Sequence, residues 1–225
     1  NPNSGKTSIF NHLTGAKQHV GNWPGVTVEK KEGHIKNSDL SIKVIDLPGI
    51  YSFNAYSDDE IITNEFLTSG NIDVVINIVD ATNLEHHLYL TTQLLEMGIK
   101  VVLALNMYDE AEKNKYIIEI DKLEKFLGIP VIKTVGTKGQ GINNLLSRAV
   151  QLSKMDNLEQ FKINYGYNIE KTLEKIISIM KNNSYLQLNY NLRWLALKIM
   201  EQDDNIIEKI EKYLDKNLIL EIKNI

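Results

Sequence analysis

Asn1-Pro2-Asn3-Ser4-Gly5-Lys6-Thr7-Ser8 carries the most explicit chemistry in the chain. Gly5-Lys6-Thr7 fits the end of the phosphate-binding pattern G-x-x-x-x-G-K-[S/T], whose first glycine falls one position before Asn1. In such a loop the residues Asn3, Ser4, Gly5, Lys6, Thr7 and Ser8 surround phosphate. Backbone N–H groups cradle the anion, Lys6 reaches the β- and γ-phosphates, and the Thr7 hydroxyl binds Mg²⁺. A helix over Thr7 to Thr14, with Ile9, Phe10 and Leu13 on one face and Gly15 as its stop, aims its positive dipole end at those phosphates.

Asp46-Leu47-Pro48-Gly49 ends a strand some 40 residues after Lys6. Asp46 can hold the Mg²⁺ through a water, and Gly49 has no side chain to keep its N–H from the γ-phosphate. Asn106-Met107-Tyr108-Asp109 follows a buried strand and resembles the Asn-Lys-x-Asp box with which GTPases read their base. The Asp109 carboxylate can accept from both N1–H and the 2-amino group of guanine. Adenine offers neither, and sites built on such bonds reject the analogue by roughly 10⁴-fold. Asn106 braces the base and the loop, while Met107 stands where lysine is usual. Gly136-Thr137 takes the place of a Ser-Ala pair, with a backbone N–H for guanine O6. Between Val20 and Thr27 lies a glycine-rich loop in which Thr27 is expected to give Mg²⁺ a second hydroxyl. Trp23 in that loop reads as a ligand or partner contact rather than core.

The elements that must position these groups follow from periodicity. Leu40–Asp46 alternates and reads as a strand. Asp73–Asp80, Lys100–Asn106 and Val131–Val135 are short apolar runs typical of buried parallel strands. Helices are expected from a Ser57–Glu60 capping box onward, over His86–Met97, Asp121–Leu127 and Ile142–Leu152. Alternation of strand and helix predicts an α/β fold, a mostly parallel sheet with helices on both faces and ligands at the strands' carboxyl ends. Asp46, Asn106 and the 135–141 loop all fall there. Beyond Met155 only helical spacing remains, over Ile169–Met180, Leu192–Met200 and Asn205–Leu214. The expected division is therefore a sheet domain over 1–154 and a small all-α domain over 155–225, with a first strand and the first loop glycine upstream of Asn1.

With 43% hydrophobic and 24% charged residues the chain can bury a core. A formal charge of −4 and no basic face argue against extended nucleic-acid binding, so no nucleic-acid partner is expected. The absence of cysteine excludes disulfides and thiolate chemistry. No apolar run reaches the length of a membrane span. The five histidines read as solvated or locally hydrogen-bonded rather than as an iron site, since the adjacent His86 and His87 do not face one another on a helix.

Together the boxes resemble the FeoB family of ferrous iron transporters, at its amino-terminal cytoplasmic G domain. The matching stretches are Asn1–Thr7, Gly21-Asn22-Trp23-Pro24-Gly25-Val26-Thr27, Asp46–Gly49 with Tyr51-Ser52, Ala55-Tyr56-Ser57 and Asn106-Met107-x-Asp109. Arg193-Trp194-Leu195-Ala196-Leu197-Lys198 is similar to a segment of the family's helical domain. The resemblance implies a Ras-like P-loop GTPase domain and a helical spacer on the cytoplasmic side of the inner membrane. It also implies GTP/GDP as ligand and, as partner, a membrane domain that carries Fe²⁺. It further implies potassium stimulation, with Asn3 as the K⁺-binding asparagine, helped by backbone oxygens of Gly21 and Trp23. A homo-oligomer is left open. Ile50 follows Gly49 where GTPases often carry a water-orienting glutamine, so catalysis is expected to rest on Lys6, Asn3, Thr27 and Gly49 with the cations. Turnover is then expected on the order of 10⁻³ s⁻¹. The alternatives weighed are a ribosome- or RNA-associated GTPase and a binding module whose nucleotide only sets its shape.

Overall fold

The computed structural model describes residues 1–15, 18–37, 40–53, 57–70, 72–155 and 162–213. The chain divides into two compact units, Asn1–Gln93 with Lys100–Glu159, and Leu94–Ile99 with Gln160–Ile225. Of the stretches singled out from sequence, Ala55, Tyr56 and Leu214 lie outside the described residues.

The first unit runs α1 (Lys6–Thr14), β1 (Gln18–Asn22), β2 (Glu29–Asn37), β3 (Leu40–Asp46), α2 (Asp58–Thr68), β4 (Val75–Asp80), α3 (Leu84–Glu96) and β5 (Val101–Asn106). It continues through α4 (Tyr108–Lys113), α5 (Ile120–Leu127), β6 (Val131–Lys133) and α6 (Ile142–Ser153). Strands β4, β5 and β6 form a parallel ladder in which Asp80 stands opposite Asn106. Every residue of β5 is buried, the pattern of a strand covered on both faces. Ile9 of α1 and Leu145, Ala149 and Leu152 of α6 pack with Val102, Ala104 and Ile132 into one core.

The second ladder adds two strands that the sequence reading did not assign, β1 and β2. β3 pairs antiparallel with β2, and β2 antiparallel with β1, so Leu40–Asp46 belongs to an antiparallel meander. The charged run Glu29–Lys36 hides β2 from any apolar-alternation reading. Its strand character comes from the ladder itself, dressed by the exposed ion pairs Lys30–Glu32 at 2.7 Å and Lys43–Glu32 at 3.0 Å. Gly33 lets β2 cross α1 closely, because a Cβ there would lie 2.2 Å from Thr14 Cγ2. β3 and β4 are each the outer strand of their ladder. A groove of about 560 Å³ runs along them, with Val44 and Ile45 on one wall, Ile76 on the other, and Phe10 and Ala149 at its floor.

Ser57 and Glu60 form the expected capping box on α2, each side chain accepting the other's backbone N–H at 3.3 Å. This fixes the start of the helix that follows the Asp46–Gly49 segment.

The second unit contains α7 (Tyr167–Met180), α8 (Ser184–Asn189), α9 (Leu192–Met200) and α10 (Asp204–Glu211). Side chains of Asn183, Asn191 and Asp203 cap α8, α9 and α10. The sequence offers only a turn at 182–184. Asn183 is the cap of a short helix too brief for periodicity to register. Leu173, Ile176, Met180, Leu186, Trp194, Leu195, Ile206 and Ile210 make its core.

Arg193 ties the loop before α7 to α9. It donates to both Glu170 oxygens at 2.7 and 2.8 Å and to the Ile163 carbonyl at 2.7 Å. Arg193 and then the Tyr165 N–H hold the Glu170 carboxyl down at about 2. Arg193→Met is expected to cost about 2 kcal/mol in urea unfolding, the scale of charged hydrogen bonds. A carboxyl with a depressed folded pKa stabilises above its unfolded value of about 4.3 and loses that contribution as pH falls toward 2. The stability lost across that acid window should be smaller in the variant than in the parent.

Candidate nucleotide-binding site

The phosphate loop is built before α1 and held from two neighbouring strands. Gly5 precedes α1 at φ 81°, in the left-handed region, and no side chain caps the helix. The N–H groups of the first turn are therefore left for a ligand. The Ser4 hydroxyl closes the loop onto the Asn1 carbonyl at 2.8 Å. At its other end Asn106, buried at the end of β5, donates from Nδ2 to the Ser4 carbonyl at 2.8 Å. A Cβ on Gly5 would sit 2.2 Å from that nitrogen, so the loop approaches Asn106 only as glycine. Thr7 is exposed and Ser8 half-buried at the start of α1, while Asn3 is exposed at φ 55°.

The Asp46–Gly49 segment comes against the same loop. Lys6 Nζ donates to the Leu47 carbonyl and lies 3.4 Å from Asp46 Oδ1. Gly49 is glycine for a steric reason, since a Cβ there would lie 3.1 Å from Pro2 Cα. Asp46 Oδ1 is buried with no hydrogen-bond partner among the described residues. A buried carboxylate oxygen that has an ion-pair contact with Lys6 but no hydrogen bond can accept from a water of a hydrated Mg²⁺, so the Mg²⁺ expectation fits these residues. Ile50 is buried, 4% exposed, and offers no polar atom to a water.

In the base box Met107, at φ 56°, turns the chain from β5 into α4. Asp109 lies in the first turn of that helix, where a carboxylate is favoured by the dipole. The sequence reading assigned no helix here, and α4 was missed. Its acids in the first turn and Lys113 in the last are the signal that was available. Asn106 Oδ1 accepts from the Gly136 N–H at 2.8 Å and from the Thr134 hydroxyl at 3.3 Å. Phosphate loop, base box and the 134–136 segment thus meet on one amide. The Gly136 N–H is engaged there, and Thr137 stands exposed beside it. Lys138, unremarked in the sequence, pairs with Asp109 at 2.7 Å and holds its carboxyl below the usual range.

Three expected residues lie in or beside the β1–β2 turn. Gly21 stands in the ladder opposite Lys30, and the Trp23 carbonyl accepts from Val26 N–H at 3.3 Å. Thr27 is exposed in the turn closed by Trp23 N–H on the Val28 carbonyl at 2.9 Å. Trp23 itself corrects the sequence reading: it is 7% exposed and packs edge-on against Phe66 of α2, with ring centroids 5.4 Å apart. A glycine- and proline-rich turn does not preclude burial when a helix face waits beneath it. The Trp23 carbonyl is engaged within the turn, and Gly21 lies in the ladder beside it. His87 is buried, with Nδ1 accepting the Asp80 N–H at 3.0 Å, and burial lowers its pKa. His86 is exposed, its ring centroid 5.0 Å from that of Tyr51.

A phosphate loop before a helix, a carboxylate at a strand end and a base box at the end of the next strand but one define a P-loop nucleotide-binding domain, here joined to a helical unit. The family model for Ferrous iron transport protein B matches residues 1–149, and that for the FeoB cytosolic helical domain matches residues 165–225. A Fe(2+) transport protein A/Fe(2+) transporter FeoB fusion protein of Porphyromonas gingivalis is 46% identical over 90% of this chain and 24% of its own length. The Fe(2+) transporter FeoB of Shigella flexneri is 45% identical over 90% of the chain and 26% of its own. Among solved structures, the T. maritima FeoB cytosolic domain in a GDP form aligns with TM-score 0.88 at 38% identity, covering 99% of this chain and 88% of that one. An S. thermophilus NFeoB variant bound to GDP aligns with TM-score 0.89 at 42% identity, covering 100% and 84%. The chain belongs to the FeoB family and spans about a quarter of the length of the transporters it matches. Among the described residues no helix is long and apolar enough to cross a membrane.

Asn106→Ala strands the Ser4 carbonyl and the Gly136 N–H together. It should lower unfolding free energy by roughly 2–4 kcal/mol in denaturant titration, the scale of two buried groups left unpaired.

Proposed function

We propose that this chain is the GTP-binding and slowly GTP-hydrolysing cytoplasmic part of a ferrous iron transporter of the inner membrane. Its partner in that role is the transporter's own membrane domain. The observation that carries the reading is the Asp109 carboxylate, set on the first turn of α4 while the preceding Asn106 amide grips the phosphate loop. One ligand can then reach both. Asp109 accepts from guanine N1–H and the 2-amino group, Asn106 and Met107 brace the ring from below, and the 136–137 backbone offers its remaining N–H to O6. Asn3, Ser4, Gly5, Lys6, Thr7, Ser8 and Gly49 surround the phosphates. Two domains, 1–154 and 155–225, carry these roles.

In hydrolysis Lys6 draws charge from the β- and γ-oxygens, and the Gly49 N–H meets the γ-phosphate. Thr7, Thr27 and Asp46, the last through a water, would hold Mg²⁺, which when bound would supply positive charge against that developing on the phosphates. Water is aligned by backbone, since buried Ile50 cannot do it. That lack motivates slow turnover, on the order of 10⁻³ s⁻¹. Potassium stimulation is proposed at the exposed Asn3, helped by backbone oxygens of Gly21 and Trp23.

Calorimetry with Mg²⁺ should show GTP bound at least about 10³-fold more tightly than ATP. Comparable affinity for the two would overturn the reading. Asp109→Asn exchanges an acceptor for a donor and should move the preference toward xanthosine nucleotides, whose 2-oxo group accepts. Asn3→Ala should abolish the difference between hydrolysis in potassium and in sodium while leaving GTP affinity within about threefold. Equal parent rates in the two salts would remove the potassium proposal.

A further inference from the structure

β4 is apolar at Val75, Ile76, Ile78 and Val79 but carries an asparagine at its centre. Asn77 is 4% exposed, and an amide so placed is costly unless both of its halves are bonded. Both are. Its Oδ1 accepts from Asn1 Nδ2 at 3.4 Å, and its Nδ2 donates to Thr91 Oγ1 at 2.8 Å. Asn1 Nδ2 also reaches the Ile78 carbonyl at 3.2 Å, so the opening of the phosphate loop is held by β4 through two acceptors. Thr91 is fully buried in α3 and, having accepted from Asn77, donates its own proton to the His87 carbonyl at 3.4 Å. Donor and acceptor directions are therefore fixed along the whole run. Asn106 on β5 holds the loop at Ser4, and Asn77 on the adjacent strand holds it at Asn1.

We propose that Asn77, backed by Thr91, is a positioning residue for GTP hydrolysis, clamping the opening of the phosphate loop so that the γ-phosphate meets Lys6 and Gly49 in reactive alignment. It touches no substrate. Its action passes through Asn1, and the inference rests on the hydrolytic reading above. A loop freed at one end still binds phosphate but samples misaligned poses, and small misplacements cost far more in the chemical step than in binding.

The test measures GTP hydrolysis, kcat and KM separately, with Mg²⁺ on the full chain and on Asn77→Leu, Thr91→Val and Thr91→Ser, with thermal melting alongside. Thr91→Val keeps shape and removes the hydroxyl, and Thr91→Ser keeps the hydroxyl. Asn77→Leu and Thr91→Val are expected to lose about tenfold in kcat with KM for GTP shifted less than about threefold. Thr91→Ser should stay near the parent rate, and preference for GTP over ATP should be unchanged throughout. Should Asn77→Leu not fold, the Thr91→Val and Thr91→Ser pair decides alone. A hydrolysing parent whose folded variants keep kcat overturns this inference and leaves the functional reading intact. Losses that follow melting temperature, with Thr91→Ser as slow as Thr91→Val, overturn it too. A parent that does not hydrolyse GTP removes the functional reading and this inference with it.

Discussion

One side-chain amide, that of Asn106, governs the geometry of the site. Its nitrogen takes the Ser4 carbonyl of the phosphate loop, and its oxygen takes the Gly136 N–H and the Thr134 hydroxyl. No aliphatic residue at the end of β5 could donate to one loop and accept from another. In a buried setting such bonds are all or nothing, because each loop's backbone group has lost its water. The consequence is that the loop before α1, the end of β5 and the 134–136 segment are tied together by one side chain. The spacing between them is set by the sheet and is insensitive to the exposed turns.

The rest of the pocket follows from close backbone approach. Gly5 lies against Asn106, where a methyl group would collide, and Gly49 against Pro2, where it would fit only tightly. Lys6 crosses from the loop to Leu47 and Asp46, drawing the Asp46–Gly49 segment under the same positive charge. Bulk apolar packing of β4 and β5 supplies the stage, while every polar contact that matters sits at the strands' carboxyl ends. Asn77 is the exception, a polar residue deep in the sheet.

Sequence made the parallel half of the fold legible because burial on both faces leaves continuous apolar runs, as at Val101–Leu105. The antiparallel half was hidden for the opposite reason: β2 is mostly charged, and its pairing depends on backbone bonds between distant segments that no local pattern announces. Strand β3 was found, but its antiparallel partner β2 was not. Trp23 was misread because burial depends on what a turn folds over, here Phe66, and not on the turn's own glycines. The chemistry-bearing boxes at Gly5–Thr7, Asp46–Gly49 and Asn106–Asp109 were legible since their residue types are dictated by the contacts they make. Asn77 was visible as a lone polar letter in an apolar run, yet its meaning required knowing that Asn1 and Thr91 lie on either side.

Helix α3 has a consequence for how this chain can be dissected. Most of it belongs with the sheet, yet Leu94–Ile99 group with the helical unit, and Glu96 takes the hydroxyl of Tyr165 there. The two units are therefore not successive beads on a string. A protease acting once between α6 and α7 could not release an intact helical piece, because that piece would leave behind Leu94–Ile99, including Met97, which packs on its core. Gene truncations drawn at the same point would inherit an unsatisfied apolar helix end, and their poor solubility would say nothing about the nucleotide pocket.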